Sequence, residues 1–166
     1  MKYLLILLTP LLFAKEPIIM KLSSIYANDI FLLNYKQSSY YCEPYGVISI
    51  AKIKTKKDIN PTCKKAFEDF IVKNPKLNNF AKYHLHVEQY YRVDFKSQGK
   101  CLLFSKGKKT YSQDLLLNGL AILKPNFKDE EYRYIFLKSY KSAKMRKKGI
   151  WKVPTLRTCI AEMFKE

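Results

Sequence analysis

The chain has 166 residues, a length typical of one domain, and 48% of them are hydrophobic, which excludes an intrinsically disordered polymer. Its 31 Lys and Arg residues outnumber its 14 Asp and Glu residues, so the formal net charge is +17. Such a charge excludes a near-neutral surface and leaves a polyanion binder, a membrane-surface binder or a basic scaffold protein.

The first residues carry the pattern of a secretory signal peptide. Lys2 supplies a positive start, and the apolar run over residues 3–13 is too short to cross a bilayer. Ala14 then places a small residue at the cleavage site. We therefore expect residues 1–14 to be removed, leaving a periplasmic or secreted chain with no transmembrane segment. A retained N-terminal anchor is the alternative.

The chain after this segment begins with a β-rich part. Residues 23–35 are rich in Ile, Leu, Phe and Tyr, which predicts a first pair of strands. Residues 47–53 predict a further strand. A turn at Asn60 and Pro61 follows, and Thr62 is then placed as the N-cap of a helix that ends near residue 74.

Residues 82–95 give the clearest strand signal, because apolar and polar side chains alternate along them. A second strand is predicted over residues 101–104. His84, His86 and Glu88 share one face of the first of these strands, as ligands of a transition metal would. A solvated strand face is the favoured interpretation, so we assign no metal site.

Two helices are predicted to close the domain. Ser112 caps a short helix that stops at Gly119, and Asp129 begins a longer helix that stops at Gly149. Residues 152–166 are expected to form an appended short helix or tail. Strands, a helix, strands and two helices make an α+β order, which a five-stranded barrel with about three helices satisfies.

The cysteines form an even set without a Cys-x-x-Cys pair: Cys42, Cys63, Cys101 and Cys159. In an exported chain this set favours two disulfides over a zinc site, and its three possible pairings stay open. Because Cys159 lies in the tail, one bridge is expected to hold the tail to the body. Reduced, buried cysteines are the alternative in a cytosolic protein.

Two late motifs resemble those of the staphylococcal-nuclease-like (thermonuclease) family. Residues 115–121 (Leu-Leu-Leu-Asn-Gly-Leu-Ala) are similar to its apolar-x-x-Gly-Leu-Ala helix end, and residues 147–151 (Lys-Lys-Gly-Ile-Trp) to its basic Gly-Leu/Ile-Trp motif. Residues 66–72 are similar to its first helix, and residues 99–104 lie where it has a Gly-Arg-x-Leu-Ala-Tyr strand.

This resemblance covers residues 48–151 and implies an oligonucleotide/oligosaccharide-binding (OB) barrel as a domain over residues 15–151. In active members the barrel carries a Ca²⁺-dependent phosphodiesterase, which needs two arginines and several carboxylates. Residues 49–57 are interpreted as the equivalent of the catalytic strand. No arginine stands near their start, and Lys54 and Lys57 fall where the family has acidic residues.

Two further positions depart from the family in the same direction. Lys56 replaces a proline, and Lys100 replaces the second arginine. Lysine cannot ligate calcium, and it offers a point charge where arginine offers a planar fork. We therefore expect no catalytic residue, no metal ligand and no cofactor. Asp58 or Glu43 as a displaced carboxylate remains the alternative.

The basic residues supply the remaining candidate sites. The candidate polyanion-binding residues are Lys52, Lys54, Lys56, Lys57, Lys100, Lys106, Lys108 and Lys109. Five tyrosines are expected either to stack on bases or to pack in a core or an interface: Tyr40, Tyr41, Tyr45, Tyr90 and Tyr91. A lysine-rich solvated surface is the alternative. Because lysine outnumbers arginine, we do not expect sequence-specific base recognition.

The sequence thus favours a non-enzymatic module of the cell envelope. Its partner is predicted to be a protein or a polyanion such as nucleic acid, with a slight preference for a protein. The alternative is an active metal-dependent secreted nuclease that cleaves DNA or RNA and uses Ca²⁺. The oligomeric state stays open.

Overall fold

The computed structural model describes residues 17–97 and 99–164, so the predicted signal peptide over residues 1–14 lies outside the described residues. Eight strands are described: β1 (Ile18–Ala27), β2 (Ile30–Tyr35), β3 (Ser38–Pro44), β4 (Val47–Ser49), β5 (Tyr90–Ser97), β6 (Lys100–Lys106), β7 (Lys109–Thr110) and β8 (Ala121–Leu123).

Five of these strands close into a barrel. Strands β3, β2, β1, β5 and β6 pair in that order through antiparallel ladders, and β7 extends the sheet beyond β6. Strands β3 and β6 then pair in parallel, through Glu43 with Lys100 and Pro44 with Cys101. A three-stranded meander joined to a later hairpin by one parallel pair is an OB-type arrangement, so the predicted α+β barrel is confirmed.

The helices pack around this barrel. Seven α-helices occur in the described ranges: α1 (Ile50–Lys54), α2 (Pro61–Lys73), α3 (Pro75–Asn78), α4 (Phe80–His84), α5 (Tyr111–Leu117), α6 (Glu130–Met145) and α7 (Pro154–Phe164). Helices α2, α5, α6 and α7 are the four longest. A 3-10 turn spans Gly149–Lys152.

Local hydrogen bonds fix where the long helices begin. Asp129 caps α6 as predicted, since its carboxylate accepts from the Tyr132 amide. The other two predicted caps are wrong by two residues. Asn60 caps α2 because its side chain accepts a 2.8 Å hydrogen bond from the Thr62 amide. Thr110 caps α5 in a reciprocal capping box with Gln113.

The strand predicted over residues 47–53 is wrong in its second half. Strand β4 ends at Ser49, whose hydroxyl accepts from the Lys52 amide at 3.2 Å and starts helix α1. Ile50 and Ile53 are buried on one side of that helix, and their i, i+3 spacing fits a helix, because residues three apart lie on opposite faces of a strand.

The strand predicted over residues 82–95 begins too early. Residues Phe80–His84 form helix α4, and β5 starts only at Tyr90. A distant side chain stabilises the helix, because Asn28 accepts from the Ala81 amide at 2.8 Å. The shared strand face proposed for the two histidines is therefore wrong: His84 lies at the end of α4, stacked 3.8 Å from the Phe80 ring.

Alternating strand residues fill the barrel, and buried helix residues extend the same hydrophobic core. On β1 and β2 the buried residues are Met20, Leu22, Phe31 and Leu33. Trp151 is 2% exposed and packs edge-on against Tyr140 of α6 at 5.3 Å. No helix within the described ranges is long and apolar enough to cross a membrane.

Two disulfides are present, as predicted. Cys42–Cys101 joins β3 to β6 beside the parallel pair that closes the barrel, with Cα atoms 5.5 Å apart. Cys63–Cys159 joins α2 to α7, with Cα atoms 5.6 Å apart. Leu156 and Ile160 of α7 are also fully buried, so the C-terminal segment is a packed helix held to the body.

Two glycines bring the late motifs into backbone contact. Gly119 has φ +61° and Gly149 has φ +52°, a region that favours glycine. The Ile150 amide donates to the Gly119 carbonyl at 3.0 Å. A Cβ on Gly119 would lie 2.2 Å from the Lys148 oxygen, so neither chain segment has room for a side chain here.

Candidate functional site

A shared ion pair lies at the parallel strand pair that closes the barrel. Glu43 of β3 and Lys100 of β6 are direct partners in the parallel ladder. Ser49 caps α1, and Lys52 of that helix reaches the Glu43 carboxylate. Glu43 Oε2 accepts hydrogen bonds from Nζ of Lys52 and Nζ of Lys100. One carboxylate oxygen therefore serves two ammonium groups.

A buried acid lies behind this ion pair. Asp29, in the turn between β1 and β2, is 3% exposed, and its Oδ2 accepts from the Ser49 hydroxyl. Its Oδ1 is buried and accepts no hydrogen bond from a described residue. We call the space between these groups the inner cavity; it measures about 10 Å³, and its polar lining is Asp29, Glu43, Ser49, Lys52 and Lys100.

The charged groups of the inner cavity shift one another's pKa values. Burial raises the pKa of the Glu43 carboxyl, but hydrogen bonds from Lys100 and Lys52 outweigh it and leave that pKa below its usual value. The pKa of Lys52 is raised, because Glu43 outweighs the effect of burial. The pKa of Lys100 is lowered, mainly by burial and also by the nearby Lys52 ammonium. Glu43 is consequently ionised at neutral pH.

A wider groove of about 360 Å³ opens beside the inner cavity. We call it the lysine groove; Lys52 and Lys100 line both spaces, and the loop between β8 and α6 adds two more lysines. The residues that define it are Lys52, Lys100, Lys124, Lys128, Tyr45 and Phe127. The Tyr45 and Phe127 rings pack edge-to-face at 5.3 Å and form its aromatic wall.

Asp129 is the carboxylate of the lysine groove, lying at its edge near Tyr45. Burial raises the pKa of the Tyr45 hydroxyl first, and the charge of Asp129 raises it further. Tyr45 is therefore a neutral hydrogen-bonding group at physiological pH. With four lysines against this acid, the groove presents a net positive surface.

This arrangement suits an anion and not a metal ion. Ammonium groups donate hydrogen bonds to phosphate or carboxylate oxygens and repel a divalent cation. No group of three His, Cys, Asp or Glu side chains lies close enough to hold a metal, within the part of the chain that the structure describes.

Only two of the eight predicted lysines lie in the lysine groove, Lys52 and Lys100. Lys54 lines a separate pocket of about 170 Å³ with Tyr26 and Lys82. Lys56 lies 4.6 Å over the Phe164 ring. The remaining four are exposed and belong to the turn after α1 or the β6–β7 hairpin: Lys57, Lys106, Lys108 and Lys109.

Residues 49–57, interpreted as the equivalent of a catalytic strand, do not form a strand, because Ser49 ends β4 and the others form α1 and the turn that follows it. Of the two displaced carboxylates considered, Glu43 lies at the inner cavity, whereas Asp58 is exposed in that turn. Glu43 is engaged by two lysines there, so it is held as an ion-pair partner.

The five predicted tyrosines have different positions. Tyr45 lines the lysine groove, and Tyr91 is buried. Tyr40, Tyr41 and Tyr90 are exposed on other parts of the barrel surface, and Tyr41 lies 6.1 Å from the ring of Tyr26. One of the five is thus placed beside the groove lysines.

Three charged residues of the site were missed by sequence reasoning. Asp29 follows Asn28 between two apolar runs, a dipeptide that marks a turn and was the available signal. Lys124 and Lys128 flank residues 125–127 in the loop between β8 and α6, where no local pattern connects them with Lys52 or Lys100. Their meeting depends on the path of the chain from β8 to α6.

Comparison with known proteins returns no match, either to models of protein families or to curated protein sequences. Support for the barrel therefore comes from the structure alone, and the resemblance to the staphylococcal-nuclease-like family stays a prediction.

Proposed function

We propose that this chain is a non-enzymatic module that binds single-stranded nucleic acid, or a polyanion of like charge, in the lysine groove. The observation that carries the proposal is the convergence of four lysines on one groove beside an aromatic wall. Phosphate-tracking charge together with aromatic side chains is the combination that binds single strands without sequence preference.

The type of charge supports weak sequence selectivity. Lys52, Lys100, Lys124 and Lys128 are point charges that neutralise phosphates without reading base edges. If all four engage phosphates, log K should fall with log salt with a slope of about −3. We also propose an oxidising compartment, such as the periplasm or the exterior, because two disulfides hold the fold.

Binding to a fluorescein-labelled oligothymidylate, followed by fluorescence anisotropy at low salt, tests the proposal. We expect the double variant Lys124→Gln/Lys128→Gln to weaken binding about tenfold and to flatten the salt slope by about 1.4. The matched control is Lys106→Gln/Lys108→Gln, which removes the same charge from the β6–β7 hairpin. Equal losses in the two variants, or no binding by the wild type, would contradict it.

A protein partner is the second candidate, favoured by the exposed aromatic pair on the outer barrel face. Tyr26 is 57% exposed and Tyr41 is 61% exposed, and tyrosine is enriched in protein interfaces. If this face is the functional one, Tyr26→Ser/Tyr41→Ser should abolish co-purification of a partner and leave oligothymidylate binding unchanged.

The enzyme alternative is tested separately by plasmid nicking with Ca²⁺, Mg²⁺ and EDTA. The lysine pair on Glu43 would repel a catalytic cation, so we expect no metal-dependent cleavage. If the pure protein cleaves the plasmid and EDTA abolishes this cleavage, the protein is a nuclease and the proposed non-enzymatic function is wrong.

A further inference from the structure

We propose that Glu43 is an intramolecular competitor for the polyanion, because its carboxylate occupies two of the ammonium groups that phosphate oxygens would use. This inference rests on the function proposed above. It concerns how strongly the lysine groove binds and assigns Glu43 the role of limiting that affinity.

The positions of the three side chains support it. Lys52 and Lys100 line both the inner cavity and the lysine groove, whereas Glu43 lines only the inner cavity. Both ammonium groups donate to the same oxygen, Oε2 of Glu43. The carboxylate therefore engages both lysines from the side of the inner cavity, while both also line the lysine groove.

The hydrogen-bond donors that the two lysines keep show that the competition is incomplete. Two positive groups share one carboxylate, and each ammonium has three donors. Asp29, the other acid of the inner cavity, has its Oδ2 engaged by Ser49 and lies behind the pair. The charge of Asp29 also acts on Lys52, and the remaining donors of the two ammonium groups are left for a second anion, which gains their full attraction only if Glu43 is neutral or absent.

The side chains leave room for such an exchange. Those of Lys52 and Lys100 are 38% and 39% exposed, while that of Glu43 is 28% exposed. The lysines reach solvent on the groove side, so a phosphate can approach them without opening the barrel. Repulsion between that phosphate and the carboxylate behind them then opposes binding.

Removing the charge of Glu43 is therefore expected to strengthen binding. Glu43→Gln keeps the length of the side chain and an acceptor for the lysines, and it removes the negative charge that both ammonium groups share. Charge repulsion between a carboxylate and a phosphate about 8 Å apart, on opposite sides of an ammonium group, corresponds to about 3- to 30-fold in affinity between the dielectric of water and that of a protein surface.

The experiment is the oligothymidylate titration at low salt, with wild type, Glu43→Gln and a control. Glu68→Gln makes the same change in net charge on the exposed face of α2 and lies outside both spaces. We expect Glu43→Gln to bind about 3- to 30-fold tighter and Glu68→Gln to stay within about twofold of wild type. Thermal melting by circular dichroism verifies that each variant is folded.

Each outcome has a separate meaning. Binding by wild type that Glu43→Gln leaves unchanged or weakens overturns the competitor and leaves the proposed function standing. Equal gains in both variants overturn it too, because total charge would then be the cause. If neither wild type nor Glu43→Gln binds, the function itself fails. Should Glu43→Gln not fold, Glu43→Thr removes the charge with a residue suited to a strand and must show the same gain.

Discussion

Replacing Gly119 by alanine probes the contact between the two late motifs. Gly119 has φ +61°, and an added Cβ would lie 2.2 Å from the carbonyl oxygen of Lys148 and 2.8 Å from its carbonyl carbon. Both atoms belong to the backbone, so no side-chain rotation relieves the clash. The segment that carries Ile150 and Trp151 must move away from α5 to make room.

The magnitude follows from two contributions. The left-handed backbone costs alanine about 1–2 kcal/mol. Moving the segment also weakens the 3.0 Å hydrogen bond from the Ile150 amide to the Gly119 carbonyl and the packing of buried Trp151. We expect a total loss of about 4 kcal/mol or more in the free energy of unfolding.

The control for the backbone contribution is Gly107→Ala. Gly107 has φ +57° in the β6–β7 hairpin, and its added Cβ would meet nothing within 4 Å. This variant should lose only about 1–2 kcal/mol. Urea unfolding followed by circular dichroism measures both, and losses that agree within about 1 kcal/mol would refute the reasoning from the backbone clash.

The remaining predictions concern the disulfide of α7 and the titration of Glu43. The disulfide Cys63–Cys159 links residues 96 apart in sequence, and replacing both cysteines by alanine should lower the free energy of unfolding by about 4–5 kcal/mol. Urea unfolding measures this loss, and an unchanged midpoint would contradict the prediction. The lowered pKa of Glu43 means that its ion pairs stabilise the fold above the ordinary value of 4.5 and that this contribution is lost as pH falls through its folded pKa. Melting temperatures from about pH 6 to about pH 3 should therefore fall less steeply for Glu43→Gln, and identical slopes would count against the ion pair.

Local chemistry made part of the fold predictable. The Asp129 cap, with Glu130 and Glu131 after it, lies within one turn of the sequence and predicted the start of α6 correctly. The strand pair over residues 23–35 follows from its β-forming composition in the same way, although β1 begins earlier, at Ile18.

Long-range contacts decided the elements that sequence reasoning got wrong. Residues 82–95 alternate between apolar and polar side chains, yet Asn28 binds the backbone just before them. Its side chain accepts a hydrogen bond from the Ala81 amide and donates one to the Leu77 carbonyl at 2.7 Å. These partners are about fifty residues away in sequence, which no local pattern reveals. The tertiary contact favours the helix over the strand.

The candidate site was predictable only in its components. Lys52 and Lys100 stood among eight candidate lysines, but their partner Glu43 pairs with Lys100 across 57 residues through a parallel ladder. Parallel register has no short-range signal, because the connection between the two strands is long. Barrel closure therefore determined which lysines share a groove.

The most direct test of the central claim is to locate where a single strand binds. In heteronuclear NMR spectra of the folded protein titrated with oligothymidylate, we predict that the amide shift changes concentrate at residues 43–48, at Lys100 and at residues 124–129. Shift changes confined to the hairpin around residues 106–109, or no changes at low salt, would contradict the lysine groove as the binding site.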